Sequence, residues 1–427
     1  MPQVLSGGTV VDPVGGTVEA RDLVIDGDRI GGSPEGAARV DVSGCIVMAG
    51  NVCSHHHLYS ALARGMPGPD EPPTDFVSIL ERVWWRLDRA LEPSTIELSA
   101  RLGAVEAARA GTTSIVDHHA SPEAIDSSLD ALAAGIESAG VRSVVCYEVT
   151  DRHGEGPGRA GVAENERFVR DNQSLLTRGM VGAHASFTIG RSTMERLVAA
   201  ARDLGVPIHI HVAEDVADEK DSLDRYGART ALRLAAEGAL GEGDLIAHGV
   251  HLDDAEIDAV RSSGAWAAHN PRSNLNNGVG HAPALRLGER VGLGTDGIDG
   301  DMFAEAKVAY LKARDASLDV GPDWAVQRLI AGAGIVGAAF GEPALGRLEA
   351  GAPADLVVLD YRPPTPFDEG NIAGHTIFGI GAAAVRDVMV SGRWIVRDRR
   401  HQLIDEDELA ARCRDAAPQL WARMQRY

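Results

Sequence analysis

The segment Ile46-Val47-Met48-Ala49-Gly50-Asn51-Val52-Cys53-Ser54-His55-His56-His57-Leu58 is where the chain changes rhythm, because an apolar run leads directly into three consecutive histidines. In a strand, residues two apart share a face. If strand geometry persists to the end of this run, His55 and His57 point one way and His56 the other. Two neutral imidazoles on one face can bind one transition metal: zinc, iron, copper or nickel. A histidine cluster on a surface loop is more often inert, so the pair needs support from elsewhere in the chain.

From residue 46 onward, strand and helix alternate. Strands are expected at 46–52, 112–116, 141–146, 180–184, 207–211, 244–248, 265–269 and 291–295. Helix-start patterns lie between them, at Ser94-Thr95-Ile96-Glu97, Ser192-Thr193-Met194-Glu195 and Asp253-Asp254-Ala255-Glu256. Each places a capping side chain three residues before a Glu. Gly111, Gly140, Gly205 and Gly264 stand where those helices should stop. Eight strands alternating with helices is the count of a closed parallel (β/α)8 TIM-like barrel in the α/β class, with an open doubly wound sheet as the competing arrangement.

Outside that region the pattern is short strands and turns. Thr9-Val10-Val11 and Asp22-Leu23-Val24-Ile25 precede it; Asp355-Leu356-Val357-Val358-Leu359, Asp387-Val388-Met389-Val390 and Arg393-Trp394-Ile395-Val396 follow two further helical stretches at about 302–318 and 323–340. Neither end has enough apolar surface to fold well alone. The expected organisation is a small discontinuous β-sandwich domain from residues 1–45 and 345–400, a barrel over 46–344, and a C-terminal helical segment over 401–427.

Composition bounds the function. Hydrophobic residues make up 44% of the 427, enough for a sizeable core. No apolar stretch approaches the roughly 20 residues needed to cross a bilayer, and Met1-Pro2-Gln3-Val4-Leu5 is not a basic-then-apolar leader. Cys45, Cys53, Cys146 and Cys413 are scattered, which predicts a reduced, cytoplasmic protein. A net charge of −21 argues against nucleic acid and anionic membrane as partners. The composition leaves homo-oligomerisation open. Lysine is confined to Lys220, Lys307 and Lys312.

In a β/α barrel, catalytic groups sit at the C-terminal ends of the strands. Those ends carry His55 and His57 after the first strand, His211 and Glu214 after the fifth, His248 after the sixth and Asp296 after the eighth. Each alone has a structural explanation, but four His, a Glu and an Asp at four ends of one ring converge on a point. Gly292-Leu293-Gly294-Thr295-Asp296-Gly297 also fits GxGxxG. It follows the last strand and precedes a poor helix start, so a dinucleotide site is rejected.

These segments resemble the amidohydrolase superfamily, in its branch of aminohydrolases and chlorohydrolases (nucleobase deaminase-like). His55-His56-His57 is similar to its HxH, His211-Val212-Ala213-Glu214 to its HxxE, Ala247-His248-Gly249 to its sixth-strand His, and Gly294-Thr295-Asp296-Gly297 to its last-strand Asp. His269-Asn270-Pro271-Arg272-Ser273-Asn274 and Leu348-Glu349-Ala350-Gly351-Ala352-Pro353-Ala354-Asp355-Leu356 are also similar. Asp117-His118-His119-Ala120-Ser121-Pro122 and Cys146-Tyr147-Glu148-Val149 resemble the selenium-metabolism aminohydrolases more narrowly. Three positions depart from the family pattern: Ala49 and Asn51, where Ala49-Gly50-Asn51 stands for the usual Pro-Gly-Phe, and Cys53, which stands for an Asp or Asn.

The resemblance implies a hydrolytic deaminase of an aminated N-heterocycle such as a purine, pyrimidine, pterin or triazine. His55, His57, His211 and Asp296 would hold one divalent transition metal, with zinc as first choice and iron as second; Glu214, His248 and Asp296 would move protons. Two-metal relatives bridge their ions with a carboxylated lysine after the fourth strand. This chain has no Lys before Lys220, and its fourth strand ends at His184, so one metal is expected. Candidate substrate contacts are Arg64, His118, His119, Tyr147, Glu148 and His184, with Trp84 and Trp85 as stacking surfaces. The alternatives are the same site displacing halide or hydrolysing a cyclic amide, and a catalytically silent binding or scaffold barrel. Glu214 and His248 weigh against the silent barrel, since binding alone requires neither.

Overall fold

The computed structural model describes residues 2–13 and 15–427. Eight parallel strands form a ring in chain order: β1 (Asn51–His56), β2 (Thr112–His119), β3 (Arg142–Val149), β4 (Val181–Ala185), β5 (Ile208–Val212), β6 (Leu245–His248), β7 (Trp266–His269) and β8 (Val291–Leu293). Nearly all their residues are buried, as expected when helices cover one face and the barrel core the other. The ring closes just past the end of β8. There Thr295 and Asp296 both donate their N–H to His55 O, at 2.9 and 3.1 Å, and His57 N–H donates to Asp296 O at 3.2 Å. The residues that shut the barrel are therefore those expected to carry its chemistry.

The expected strand 46–52 is two strands. Ile46–Ala49 pairs antiparallel with Leu356–Leu359 and parallel with Thr9–Asp12, outside the barrel, and the ring's own strand begins at Asn51. The chain passes between the two at Gly50, where a Cβ would lie 2.1 Å from Thr113 Cγ2. The expected helix 323–340 also divides, into Pro322–Ala331 and Ala333–Phe340. It parts at Gly332, where a Cβ would lie 2.5 Å from Ser54 Oγ.

Helix starts follow local chemistry with two shifts. Asp253 and Glu256 form the expected reciprocal cap, at 3.0 and 3.1 Å. Pro93–Arg109 starts after Glu92 rather than at Ser94, because Pro93 suits the first helical position and Thr95 Oγ1 accepts the Glu92 N–H at 2.9 Å. Arg191–Leu204 starts after Gly190 rather than at Ser192. Gly205 and Gly264 close their helices at φ of 65° and 79°, a conformation that favours glycine.

The two ends of the chain build a four-stranded and a seven-stranded sheet. Between them Leu5, Val10, Ile25, Val47, Leu356 and Met389 are almost wholly buried, and each such side chain contributes roughly 1.5–3 kcal/mol on leaving water. A buried ion pair ties the seven-stranded sheet to the barrel. Arg142 at the start of β3 reaches Asp355 through Nε at 2.8 Å and Nη2 at 3.1 Å, and Asp355 also accepts the Ser391 N–H at 2.7 Å. Among the described residues no helix is long and apolar enough to cross a membrane.

Candidate metal centre and active-site cleft

Three non-glycine residues at the strand ends adopt left-handed backbone: Ala213 at φ 50°, His248 at 72° and Asp296 at 54°. This conformation is costly for residues with a Cβ, and its clustering at one mouth marks a site where surrounding structure enforces it. At Ala213 the enforcement is visible, because its N–H donates to Asp218 Oδ2 at 2.7 Å and its carbonyl accepts the His251 N–H at 2.9 Å. That turn presents Glu214 to the same space as His211.

Strand parity places His55 and His57 towards the barrel axis. His56 points away, with Nδ1 2.7 Å from Asp296 O and 2.8 Å from Thr295 Oγ1. Cys53, one of the departures from the family pattern, sits between His55 O and Thr295 Oγ1, 3.3 Å from each. His57 Nδ1 donates to His118 O at 2.5 Å and His211 Nδ1 to His184 O at 2.7 Å. Both rings thereby turn Nε2 inward, and those two nitrogens lie 3.1 Å apart. With each Nδ1 proton committed, two neutral rings would aim lone pairs at one another. Asp296 Oδ1 stands 3.1 Å from His57 Nε2 and 3.6 Å from His55 Nε2, and His55 Nε2 is buried with no hydrogen-bond partner.

Converging lone pairs, an orphaned buried nitrogen and one carboxylate are the donor set of a divalent cation, so these residues fit a transition metal. In the metal-free chain one ring must take a second proton. Burial lowers the His57 pKa, but the hydrogen bond and charge of Asp296 outweigh it and push the group up to about 9. Burial holds His55 and His211 well below the usual histidine range. Asp296 is itself buried, yet the His55 and His57 rings beside it hold it well below the usual carboxylate range.

A short helix after β7, Pro271–Asn277, supports this centre from one side. Ser273 Oγ donates to Asp296 Oδ2, His248 Nδ1 lies 2.8 Å from Asn274 Oδ1, and Asn277 Nδ2 donates to Glu214 Oε1 at 3.4 Å. His248 Nε2 is left without a partner, 3.6 Å from Glu214 Oε2. Burial pushes the Glu214 carboxyl up to about 7, against the opposing pull of His248. The sequence pointed to the segment His269–Asn274 without assigning it a task. The contacts of Ser273, Asn274 and Asn277 depend on how the helix is seated.

His209 was also missed. It lies two residues before His211 on β5 and so shares its face, a parity signal present in the sequence. Its Nε2 is 2.9 Å from His55 Nδ1, and its Nδ1 is 3.8 Å from Cys146 Sγ.

The candidate substrate contacts divide. Glu148, His184, Trp84 and Trp85 line the cleft above the centre, together with Phe76, Leu80 and Phe187. His184 Nδ1 is 2.7 Å from Thr188 Oγ1, and its Nε2 is 3.9 Å from Glu148 Oε1. Four other candidates do not reach that cleft. Arg64 is exposed and held by both oxygens of Glu106 at 2.7 Å. His118 is buried beneath the centre, with Nδ1 3.1 Å from Glu148 Oε2 and Nε2 3.2 Å from His209 O. His119 and Tyr147 fall on the opposite parity of β2 and β3; their rings pack behind the strands, and His119 Nε2 meets Ser121 Oγ at 3.0 Å. The expectation had ended these strands at 116 and 146, whereas they run to His119 and Val149, so alternation continues through all four positions.

Residues 46–395 match the Amidohydrolase family. A 5-methylthioadenosine/S-adenosylhomocysteine deaminase of Natronomonas pharaonis is 32% identical over 442 residues, covering 98% of each chain. A 5′-deoxyadenosine deaminase of Methanosarcina mazei is 28% identical, covering 97% of this chain and 96% of its own. An adenosine deaminase from Xanthomonas campestris with bound zinc superposes with a TM-score of 0.86 at 23% identity, covering 100% of this chain and 99% of its own. A zinc-complexed atrazine chlorohydrolase from Arthrobacter aurescens gives 0.83 at 23% identity over 97% of this chain and 100% of its own. These relatives carry the broader resemblance and do not bear on the narrower likeness to selenium-metabolism aminohydrolases. With the barrel, the mouth and a match spanning most of its length in agreement, the chain belongs to the Amidohydrolase family.

Proposed function

We propose that this protein is a metal-dependent hydrolytic deaminase that releases ammonia from an aminated N-heterocycle, with an adenine-type ring as the first substrate class to test. The deaminase names of relatives aligned over nearly the whole chain support that choice. The observation that carries it is the pair of Nε2 atoms of His57 and His211, 3.1 Å apart beside Asp296, with Glu214 and His248 facing each other at 3.6 Å next to them.

In this reading His55, His57, His211 and Asp296 hold a single divalent ion, zinc before iron, in a small-molecule enzyme of the cytoplasm. The four described cysteines are all free, in keeping with a reducing compartment. A divalent metal held there supplies one thing, a water whose pKa falls from 15.7 towards about 7. His248 Nε2, which makes no hydrogen bond within the protein, and Asp296 orient the attacking water and take its proton. Glu214, with a pKa of about 7, gives a proton to the ring nitrogen as the C–O bond forms. The proton that His248 and Asp296 took from the water then passes to the exocyclic amine, the C–N bond breaks, ammonia leaves, and the hydroxyl proton of the product returns to Glu214. Asn277 and Asn274 keep Glu214 and His248 turned towards the reacting atoms.

The test is ammonia release from zinc-loaded protein across aminopurines, their nucleosides, aminopyrimidines, pterins and aminotriazines. Release from at least one, lowered about 10²- to 10⁴-fold in Glu214→Gln, supports the reading; no release from any overturns it. Halide release from a chlorotriazine added to that panel would instead assign the same machinery to dechlorination.

A further inference from the structure

At the end of the barrel opposite the metal centre, the residues that lead into four strands surround a cavity of about 510 Å³. Met180 stands just before β4, Pro207 just before β5 and Gly243 just before β6, while Trp266 opens β7; Ala338 comes from the helix Ala333–Phe340. The volume lies within the about 300–1,000 Å³ of small-molecule sites. Catalytic groups of a β/α barrel sit at the other end of its strands. No step of the reaction uses this cavity.

Besides the Trp266 indole, its polar side chains come from one stretch: Asn172, Gln173, Ser174 and Arg178. Asn172 and Ser174 are spent on the turn that they belong to. Asn172 Nδ2 donates to Thr177 O at 2.8 Å and its Oδ1 accepts the Ser174 N–H at 3.2 Å. Ser174 Oγ accepts the N–H groups of Leu176 and Thr177 at 3.0 and 3.1 Å. Leu175, at the tip of the turn, also lines the cavity and is 85% exposed.

Arg178 is different. Its Nη1 donates to Ser174 O and Thr177 O at 2.7 and 2.8 Å, but Nε and Nη2 make no hydrogen bond within the protein. The guanidinium carbon stands 4.4 Å from the centre of the Phe340 ring, and that of Arg142 stands 4.8 Å from the same ring. Asp355 matches the Arg142 charge, whereas no carboxylate matches that of Arg178. Among the described residues no Asp or Glu lines the cavity, in a chain whose net charge is −21. An apolar cavity thus carries one uncompensated cation. Nε and Nη2 of a guanidinium form an edge that fits both oxygens of a carboxylate.

We propose that this cavity is a second ligand site, for a small molecule with an apolar body and one carboxylate. The body lies against Met180, Pro207 and Trp266, and the carboxylate meets the free edge of Arg178. The site is separate from the metal centre and does not rest on the deaminase reading.

The experiment is calorimetric titration of the zinc-loaded protein with octanoate, hexanoate and octanamide. Octanoate should bind at one site per chain. Octanamide, which lacks the charge, should bind roughly 10- to 100-fold more weakly, the effect of a charge-assisted hydrogen bond. Hexanoate should lose about tenfold for its two missing methylenes. Arg178→Gln should bring octanoate down to the affinity of octanamide, and Ala338→Trp, which fills the cavity, should remove binding of both. If Arg178→Gln fails to fold, the octanamide comparison and Ala338→Trp carry the test. No binding at millimolar octanoate, or equal binding of octanoate and octanamide, overturns the proposal. Octanoate binding that both variants leave unchanged also overturns it, by placing the carboxylate on zinc. Sedimentation covers the remaining occupant: a dimer that Leu175→Glu and Ala338→Trp both dissolve would make this face an interface between copies and overturn the ligand site.

Discussion

His209 Nε2 lies 2.9 Å from His55 Nδ1. The Nδ1 atoms of His57 and His211 meet backbone carbonyls instead, so His55 alone of the three is oriented by another side chain. Burial holds His209 well below the usual histidine range, leaving its Nε2 able to accept the His55 proton.

His209→Phe should therefore weaken metal binding about 10- to 100-fold, the usual effect of losing such a supporting contact. His209→Gln, which can still present an acceptor, should recover part of the loss. Competition with a chromophoric chelator measures both, and unchanged affinity in the Phe variant would show that His209 is only core.

Glu214→Gln keeps the shape of the side chain and the bond from Asn277 while removing the transferable proton. It should bind one metal per chain like the parent and lose about 10²- to 10⁴-fold in kcat. Metal analysis alongside single-turnover kinetics separates this from a damaged centre.

Metal affinity should depend on pH with a defined sign. His57, raised to about 9 by Asp296, carries an extra proton in the metal-free chain below that pH, and a cation must displace it. Affinity should rise about tenfold per pH unit on approach to pH 9 and level off above it. Buffered zinc titrations that give a flat profile between pH 6 and 8 would contradict the assignment of His57 as a ligand.

Asp355→Ala leaves the Arg142 guanidinium buried without its carboxylate, and Arg142 side-chain exposure is only 6%. The expected loss is about 3–5 kcal/mol of folding stability, seen as a lowered denaturant midpoint. Arg142→Met with Asp355→Leu should recover much of it, because a well-packed apolar pair of similar volume can replace a buried ion pair.

Some of this was legible in order along the chain. Alternating strands and helices, and the donors His55, His57, His211, Glu214, His248 and Asp296 at strand ends, follow from periodicity and from short local motifs. Parity on one strand suffices to put His55 and His57 on the same face, since that rule needs only neighbours in sequence. The same rule applied to β5, two residues back from His211, would have marked His209.

Tertiary structure decided what local rules leave open. How far β2 and β3 extend fixed the facing of His118, His119, Tyr147 and Glu148, and strand length in a closed ring depends on stagger between neighbours rather than on residue type. Arg64 lies outside the cleft, paired with the carboxylate of Glu106, 42 residues away. Ser273, Asn274 and Asn277 became supports of Asp296, His248 and Glu214 only once one short helix was seated across the mouth. Strand-end donors are set by a repeating local pattern, whereas their hydrogen-bonded partners come from segments far away in the chain, and only the packed barrel brings the two together.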